Sequence, residues 1–250
     1  IAWLSDTQNY HNAYKPIFDG MTQWIADNRE ALDIRFVFHT GDVVGSWSSE
    51  DQWRQARESM DILSNASIPF LAACGNHDIG YRMNYANFLK YVLSLRPASM
   101  SQEYGDTGSR YELFSANGRD YIFMGIAFSN KGPSEDEVNW INGVLRQYSS
   151  RDAIIITHSY LKKSASYTTQ GKAIFEKIVK ANPNVFLVLC GHCRDISYKN
   201  VQLDDDGDGD PDRTVYAILS NFQGSKAGGG GYMRILDFRD SDIYIYTYSP

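Results

Sequence analysis

Five short, largely apolar runs recur along the chain: Ala2–Leu4, Arg35–His39, Pro69–Cys74, Ala153–Thr157 and Val185–Cys190. Their length is that of buried strands rather than of helices. Between them lie stretches with helical spacing. Pro16–Asn28 sets Ile17, Met21, Trp24 and Ile25 on one face, Asp51–Asn65 does the same with Trp53, Ala56, Met60 and Leu63, and Gln170–Ala181 precedes the last run. Strands alternating with helices predict parallel strands joined by helical crossovers. In such a sheet, ligands collect beyond the carboxyl ends of the strands. The residues that follow each run therefore carry most of the functional information.

The remainder is less regular. Tyr85–Leu95 reads as a helix stopped by Pro97. Asn117-Gly118, between the apolar segments Tyr111–Ser115 and Asp120–Ile126, is a hairpin turn signal. Ser134 caps a helix running to Gln147, and Glu135, Asp136 and Glu137 suit its positive end. Ser197–Leu203, Thr214–Leu219, Tyr232–Phe238 and Ile243–Tyr248 follow with turns rather than helices between them, which predicts antiparallel strands. Gly228–Gly231 reads as a loop rather than a linker, so residues 1–250 are expected to form one domain. An opening on Ile1, without a basic leader, is expected of a mature form or of a piece excised from a longer chain.

Charge and composition narrow the function. A net charge of −6 argues against an extended nucleic-acid surface, because phosphate backbones are held mainly by Lys and Arg. It leaves room for a small phosphate ester, since cations in a pocket reverse the local field. No apolar stretch approaches the length of a membrane-spanning helix. Three cysteines, Cys74, Cys190 and Cys193, make no disulfide framework. Oligomeric state is left open by all of this.

The first run is followed by Asp6, Thr7 and Gln8, the second by Gly41 and Asp42, and the third by Gly75-Asn76-His77-Asp78. His158 ends the fourth, and Gly191 and His192 follow the fifth. Mixed oxygen and nitrogen donors of this kind suit Zn, Mn or Fe better than calcium. The ordered set resembles the calcineurin-like metallophosphoesterase superfamily from Asp6 to His192, with Gly-Asn-His-Asp its most specific piece. Ser5-Asp6-Thr7-Gln8 further resembles a bacterial, often exported subgroup in which Gln takes the place of the first-motif His.

That resemblance implies an α/β fold, a four-layer α-β-β-α sandwich of two mixed sheets flanked by helices. It also implies a metal-dependent hydrolase of phosphomonoesters or phosphodiesters, acting on a small phosphoester substrate in an extracellular or cell-surface setting. One or two transition ions (Mn, Fe or Zn) would share Asp42 as a bridging carboxylate. One site would take Asp42, Asn76, His158 and His192; the other would take Asp6, Gln8 and Asp42 with one donor from the final motif. Cations about 3.5–4 Å apart would hold the attacking hydroxide. His77 would be the acid that protonates the leaving group, with Asp78 either orienting it or capping the following turn, and Asn76 would also touch substrate.

One departure stands out. The usual Gly-His-X-His ending here reads Gly191-His192-Cys193-Arg194, and a guanidinium has no free lone pair for a metal. With Gln8 also in place of an imidazole, the Asp6 site is expected to be the weaker one. Cys193 is a substitute thiolate donor only if its side chain points the right way, whereas Arg194 suits a substrate phosphate.

Other residues invite blander readings. His39 is expected to be a hydrogen-bonded structural residue and His11 a loop residue. Tyr10, Tyr81, Tyr85, Tyr160 and Tyr167 either wall a pocket or pack. Asp204–Asp210 resembles the opening of a calcium loop, but Val215 stands where the bidentate Glu belongs, so a solvated hairpin is expected. Two rival functions remain: a strict phosphodiesterase on a nucleotide, lipid or glycan diester, and a non-catalytic phosphate- or glycan-binding module. Gln8 and Arg194 motivate the second rival, and His77 opposes it.

Overall fold

A computed structural model describes residues 1–95, 101–239 and 242–250. Strands β1 (Ala2–Leu4), β2 (Val37–His39) and β3 (Phe70–Ala72) alternate with helices α1 (Lys15–Asp27) and α2 (Glu50–Asn65). A one-turn helix α3 (Asn76–Ile79) and α4 (Ala86–Tyr91) follow; the helix stop expected at Pro97 lies outside the described residues. Next come β4 (Ser101–Tyr104), β5 (Ser109–Ala116), β6 (Arg119–Ile126), α5 (Glu135–Gln147), β7 (Asp152–Thr157) and α6 (Thr169–Ile174), which runs on into a π turn. The chain ends with β8 (Val185–Cys190), β9 (Asp195–Leu203), β10 (Arg213–Asn221), β11 (Met233–Arg239) and β12 (Asp242–Tyr248).

The strands form a five-stranded sheet, β12-β11-β1-β2-β3, and a seven-stranded sheet, β4-β5-β6-β7-β8-β10-β9. The runs β1-β2-β3 and β6-β7-β8 are parallel, as the alternation predicted. The expected antiparallel ending holds within each pair, and the arrangement of the pairs adds to it. β9 and β10 pair antiparallel, as do β11 and β12, but the four strands divide between the two sheets. β10 runs parallel to β8, pairing Tyr216 with Leu187 and Leu219 with Cys190. Strand β4 had no signal strong enough to be read from the sequence.

Alternation along each strand explains why these runs are apolar throughout. Ala2, Leu4, Val37 and Ala72 face a core shared with Phe18, Met21 and Ile25 of α1 and Trp53, Met60 and Leu63 of α2. Trp3, Phe38 and Leu71 point the other way, into a layer between the sheets, where they meet Phe123, Ile154, Ile156, Leu187 and Leu189. Ile122, Met124, Ile155 and Val188 face outward to Ile141 and Leu145 of α5 and Ile174 of α6. Burial on both faces removes the need for polar alternation. The result is four layers, helix–sheet–sheet–helix. Phe36, Phe38 and Phe123 meet edge to face in the middle layer, with Phe123 centred 4.9 Å from Phe36 and 4.8 Å from Phe38.

Local signals behave as their chemistry dictates. Asn117 and Gly118 both adopt positive φ, 53° and 74°, as a two-residue hairpin requires. Ser134 Oγ accepts the Glu137 N–H and starts α5.

Candidate metal centre

The carboxyl ends of β1, β2, β3, β7 and β8 meet at one rim, so five sequence-distant segments converge. Asp6, Asp42 and His192 turn sharply there, with left-handed backbones at φ 51°, 53° and 68°. Such φ values cost energy for any residue with a Cβ and cluster where function demands a particular side-chain direction. Two glycines make the convergence sterically possible. A Cβ on Gly75 would come within 2.2 Å of Asp42 Oδ1, and one on Gly191 within 2.2 Å of Asp6 Oδ2. Each motif glycine thus clears space for a carboxylate from a different motif.

His158 stands at the middle and is fully buried. Its Nδ1 donates to the Thr40 carbonyl at 2.8 Å, which turns Nε2 inward. Nε2 lies 3.1 Å from Asn76 Oδ1, 3.1 Å from His192 Nδ1 and 3.2 Å from Asp42 Oδ2. Donor atoms of Asp42, His158 and His192 all fall within 4.8 Å of one another. Asp42 is held further by the His77 N–H on Oδ1 at 2.9 Å and by Gln8 Nε2 on Oδ2 at 3.1 Å. Asp6 receives the His192 backbone N–H at 3.2 Å and a hydrogen bond from Ser5 Oγ.

The electrostatics are those of a place made for positive charge. Burial, opposed by His158 and reinforced by the Asp42 charge, pushes Asp6 up to about 7. Burial works against a charged His158, but Asp42 and Asp6 outweigh it and raise the imidazole to about 9. Burial, then the charge of His158, brings His192 down to about 4. Burial opposes ionisation of Asp42 as well, yet His158 and His77 hold its carboxyl below the usual range.

The donors fit a metal by an independent criterion. Gln8 Oε1 is buried beside Asp42 with no hydrogen-bond partner among the described residues. Leaving such an oxygen unpaired costs about 1–3 kcal/mol. A cation coordinated there satisfies it. The carboxylate, amide and imidazole donors are also those that hold first-row transition ions.

Other candidates fall differently. His77 is exposed, its ring Nδ1 2.9 Å from the Gly45 carbonyl and its other nitrogen without a hydrogen bond among the described residues. Asp78 is buried and accepts the Gly75 and Val44 N–H groups at 2.8 and 3.0 Å. Both its oxygens are thus occupied by backbone, which is the capping alternative rather than the orienting one. Arg194 is exposed and makes no hydrogen bond or ion pair among the described residues. Cys193 packs against the core beneath α5 and α6, and its thiol is not among the donor atoms gathered with Asp42, His158 and His192. His39 is fully buried, accepts the Gly41 N–H at 3.1 Å and lies 3.0 Å from Thr7 Oγ1, as expected of a structural residue. His11 is half-buried in the loop, its Nδ1 3.0 Å from the Gln8 carbonyl.

Tyr10 and Tyr160 are buried, Tyr85 binds the Phe128 carbonyl, and Tyr167 stacks on Phe175; Tyr81 alone of the five is largely exposed. Asp204, Asp206 and Asp208 form an exposed loop cluster apart from the buried one.

Sequence reading missed two residues here. Because β10 runs parallel to β8, its carboxyl end joins the same rim. Asn221 Nδ2 binds the His192 carbonyl at 3.1 Å, and Gln223 Nε2 lies 3.5 Å from Asp6 Oδ1. The apolar run Thr214–Leu219, ending in Ser220-Asn221, was the available signal. Phe128 was missed as well; its ring packs against both His158 and His192, 5.8 and 5.9 Å between centroids.

Two mixed sheets thus lie between helices, with a cation-fitting cluster at their shared rim. The chain belongs to the calcineurin-like phosphoesterase family, whose sequence model matches residues 1–193. It is 41% identical over 256 residues to the uncharacterized protein YvnB of Bacillus subtilis (strain 168), covering 100% of this chain and 20% of that one. The chain therefore spans about a fifth of the length of that curated relative. Among solved structures it is similar to a dimetal phosphatase from Danio rerio, with a TM-score of 0.63 and 14% identity over 93% of this chain and 91% of that one. It is also similar to the purple acid phosphatase PPD1 of yellow lupin (Lupinus luteus), with a TM-score of 0.59 and 15% identity over 99% of this chain and 47% of that one.

Proposed function

We propose that this domain hydrolyses phosphate esters, monoesters foremost, at a two-cation centre. The observation that carries the reading is the meeting of Asp42, Asn76, His158 and His192 around His158 Nε2, with the unpaired Gln8 Oε1 alongside. Asp42, Asn76, His158 and His192 hold one cation, a transition ion such as Mn, Fe or Zn. Asp6, Gln8 and Asp42 contribute to the second. When bound, the cations supply Lewis-acid charge against the phosphoryl oxygens and lower the pKa of the attacking water towards about 7.

The protein's own groups do the rest. His77 fixes Nδ1 on the Gly45 carbonyl, leaving Nε2 exposed to protonate the departing alkoxide. The Thr40 carbonyl holds His158 in register through Nδ1, and Asn76 offers its amide N–H to a phosphoryl oxygen. Arg194, exposed, without an ion pair among the described residues and two residues past His192, meets the second negative charge that a monoester carries and a diester lacks.

The discriminating experiment runs aryl phosphate and bis-aryl phosphate in parallel on metal-loaded protein. Monoester turnover should exceed diester turnover. Arg194→Ala should lower monoester kcat/KM by roughly 10–100-fold, the worth of one charge-assisted hydrogen bond, and diester kcat/KM far less. A diester-only profile would replace the reading with that of a strict phosphodiesterase. No turnover on either ester would favour a binding module.

A further inference from the structure

The Asp6 half of the centre lacks an imidazole twice over: Gln8 stands in the first motif and Arg194 in the last. Cys193 packs against the core and is absent from the donor group of Asp42, His158 and His192, and burial and the Asp6 charge both disfavour its thiolate, while a guanidinium such as Arg194 has no lone pair to offer. A residue from outside the motifs reaches the same carboxylate. Gln223, half-buried in the segment after β10, sets its amide 3.5 Å from Asp6 Oδ1, and its Oε1 accepts no hydrogen bond among the described residues.

That position is built. Gln223 N–H donates to Asn221 Oδ1 at 2.9 Å, while Asn221 Nδ2 holds the His192 carbonyl at 3.1 Å. Asn9 Nδ2 reaches the Gln223 and Gly228 carbonyls at 3.5 and 3.4 Å, and the Gly231 N–H donates to the buried Tyr10 hydroxyl at 3.0 Å. The loop is thereby tied at several points to the segment that carries Asp6 and Gln8. Gln8 and Gln223 also occupy equivalent postures. Each points an amide N–H at one carboxylate, Gln8 at Asp42 and Gln223 at Asp6; Gln8 Oε1 is buried without a partner, and the half-buried Gln223 leaves its Oε1 unengaged by the described residues. The two ends of an amide have the same shape, and a half-turn about its last torsion exchanges donor for acceptor.

We propose that Gln223 is the missing donor of the Asp6 site, binding the second cation through Oε1. The donors of that site are then Asp6, Gln8, Asp42 and Gln223, all oxygen, against two oxygens and two nitrogens in the site of Asp42, Asn76, His158 and His192. An all-oxygen set suits a hard ion such as Mn²⁺ or Mg²⁺, whereas imidazoles favour Zn²⁺. The centre is accordingly one of two unlike cations, with the harder ion the more exchangeable. This assignment rests on the two-cation reading above.

The test is a titration of the metal-stripped protein with Mn²⁺, followed by electron paramagnetic resonance of the free ion and by elemental analysis after dialysis. The unaltered protein is expected to take up two Mn²⁺ in a tight and a weak phase. Gln223→Ala should weaken the second phase by at least about 10-fold, the lower end of what losing even a supporting partner costs a metal site. Its tight phase should be unchanged, which also reports that the variant is folded. Gln223→Glu, which keeps an oxygen donor and adds charge, should restore or tighten the weak phase. An unchanged weak phase in Gln223→Ala overturns this assignment while leaving the two-cation reading intact. Failure of the unaltered protein to bind any Mn²⁺ or Zn²⁺ overturns both.

Discussion

His77 is the residue whose chemistry is most separable from metal binding. Its backbone N–H supports Asp42, but its exposed ring hydrogen-bonds only the Gly45 carbonyl among the described residues. His77→Asn keeps the backbone contact and removes the acid. Turnover of esters with poor leaving groups should fall about 10²–10⁴-fold, while activated aryl esters lose much less and metal content stays near normal. Rates across a leaving-group series, read beside elemental analysis, check this; equal loss of metal and activity would mean that the ring has a ligand's role. Its neighbour Asp78 does different work although it is adjacent in sequence. Burial, reinforced by Asp42, pushes its carboxyl up to about 8, and its two oxygens tie the α3 turn to the loop after Asp42.

At the scale of elements, the site depends on how strands and helices begin and end. Half of the contributing strands are short, three residues in β1, β2 and β3, and what matters is the turn after each. The helices outside the sheets hold those turns by packing rather than by contact with the site. α5 illustrates the energetics. Its capping hydroxyl, Ser134, satisfies one of the N–H groups that a helix start leaves unpaired, and three acidic residues follow in the first turn. Ser134→Ala should therefore cost about 0.5–2 kcal/mol of stability, measured as a lower denaturant midpoint at unchanged slope. Activity per folded molecule should not change, since α5 lies behind the seven-stranded sheet.

For the molecule as a whole, cation binding and stability are coupled. Asp6 and Asp42 are buried at one rim, and two φ-strained turns hold them there. An ion that binds only the folded form offsets that charge concentration. At about 100 times its dissociation constant, such an ion contributes about 2.7 kcal/mol. For a chain of this size that is a rise of roughly 5–10 °C in Tm. Thermal melts with saturating Mn²⁺ and with chelator should differ by that amount, and Asp42→Asn should abolish most of the difference. A chelator without effect on Tm in the unaltered protein would count against a cation centre.

Much of this was legible before any coordinates. Runs buried on both faces have to be continuously apolar, so β1, β2, β3, β7 and β8 announced themselves, and the polar residues after them followed. Asn117-Gly118 and Ser134 were legible for a related reason: turn and cap chemistry are local. What the sequence did not carry was decided by pairing between distant segments. Thr214–Leu219 looks the same whether its neighbour runs parallel or antiparallel, and only its place beside Val185–Cys190 brings Asn221 and Gln223 to the rim. The packing of Cys193 against the core and the capture of Asp78 by two backbone N–H groups were likewise decided by the fold. Residue order determined which donors were available; the closing of two sheets over one layer of side chains determined which of them meet.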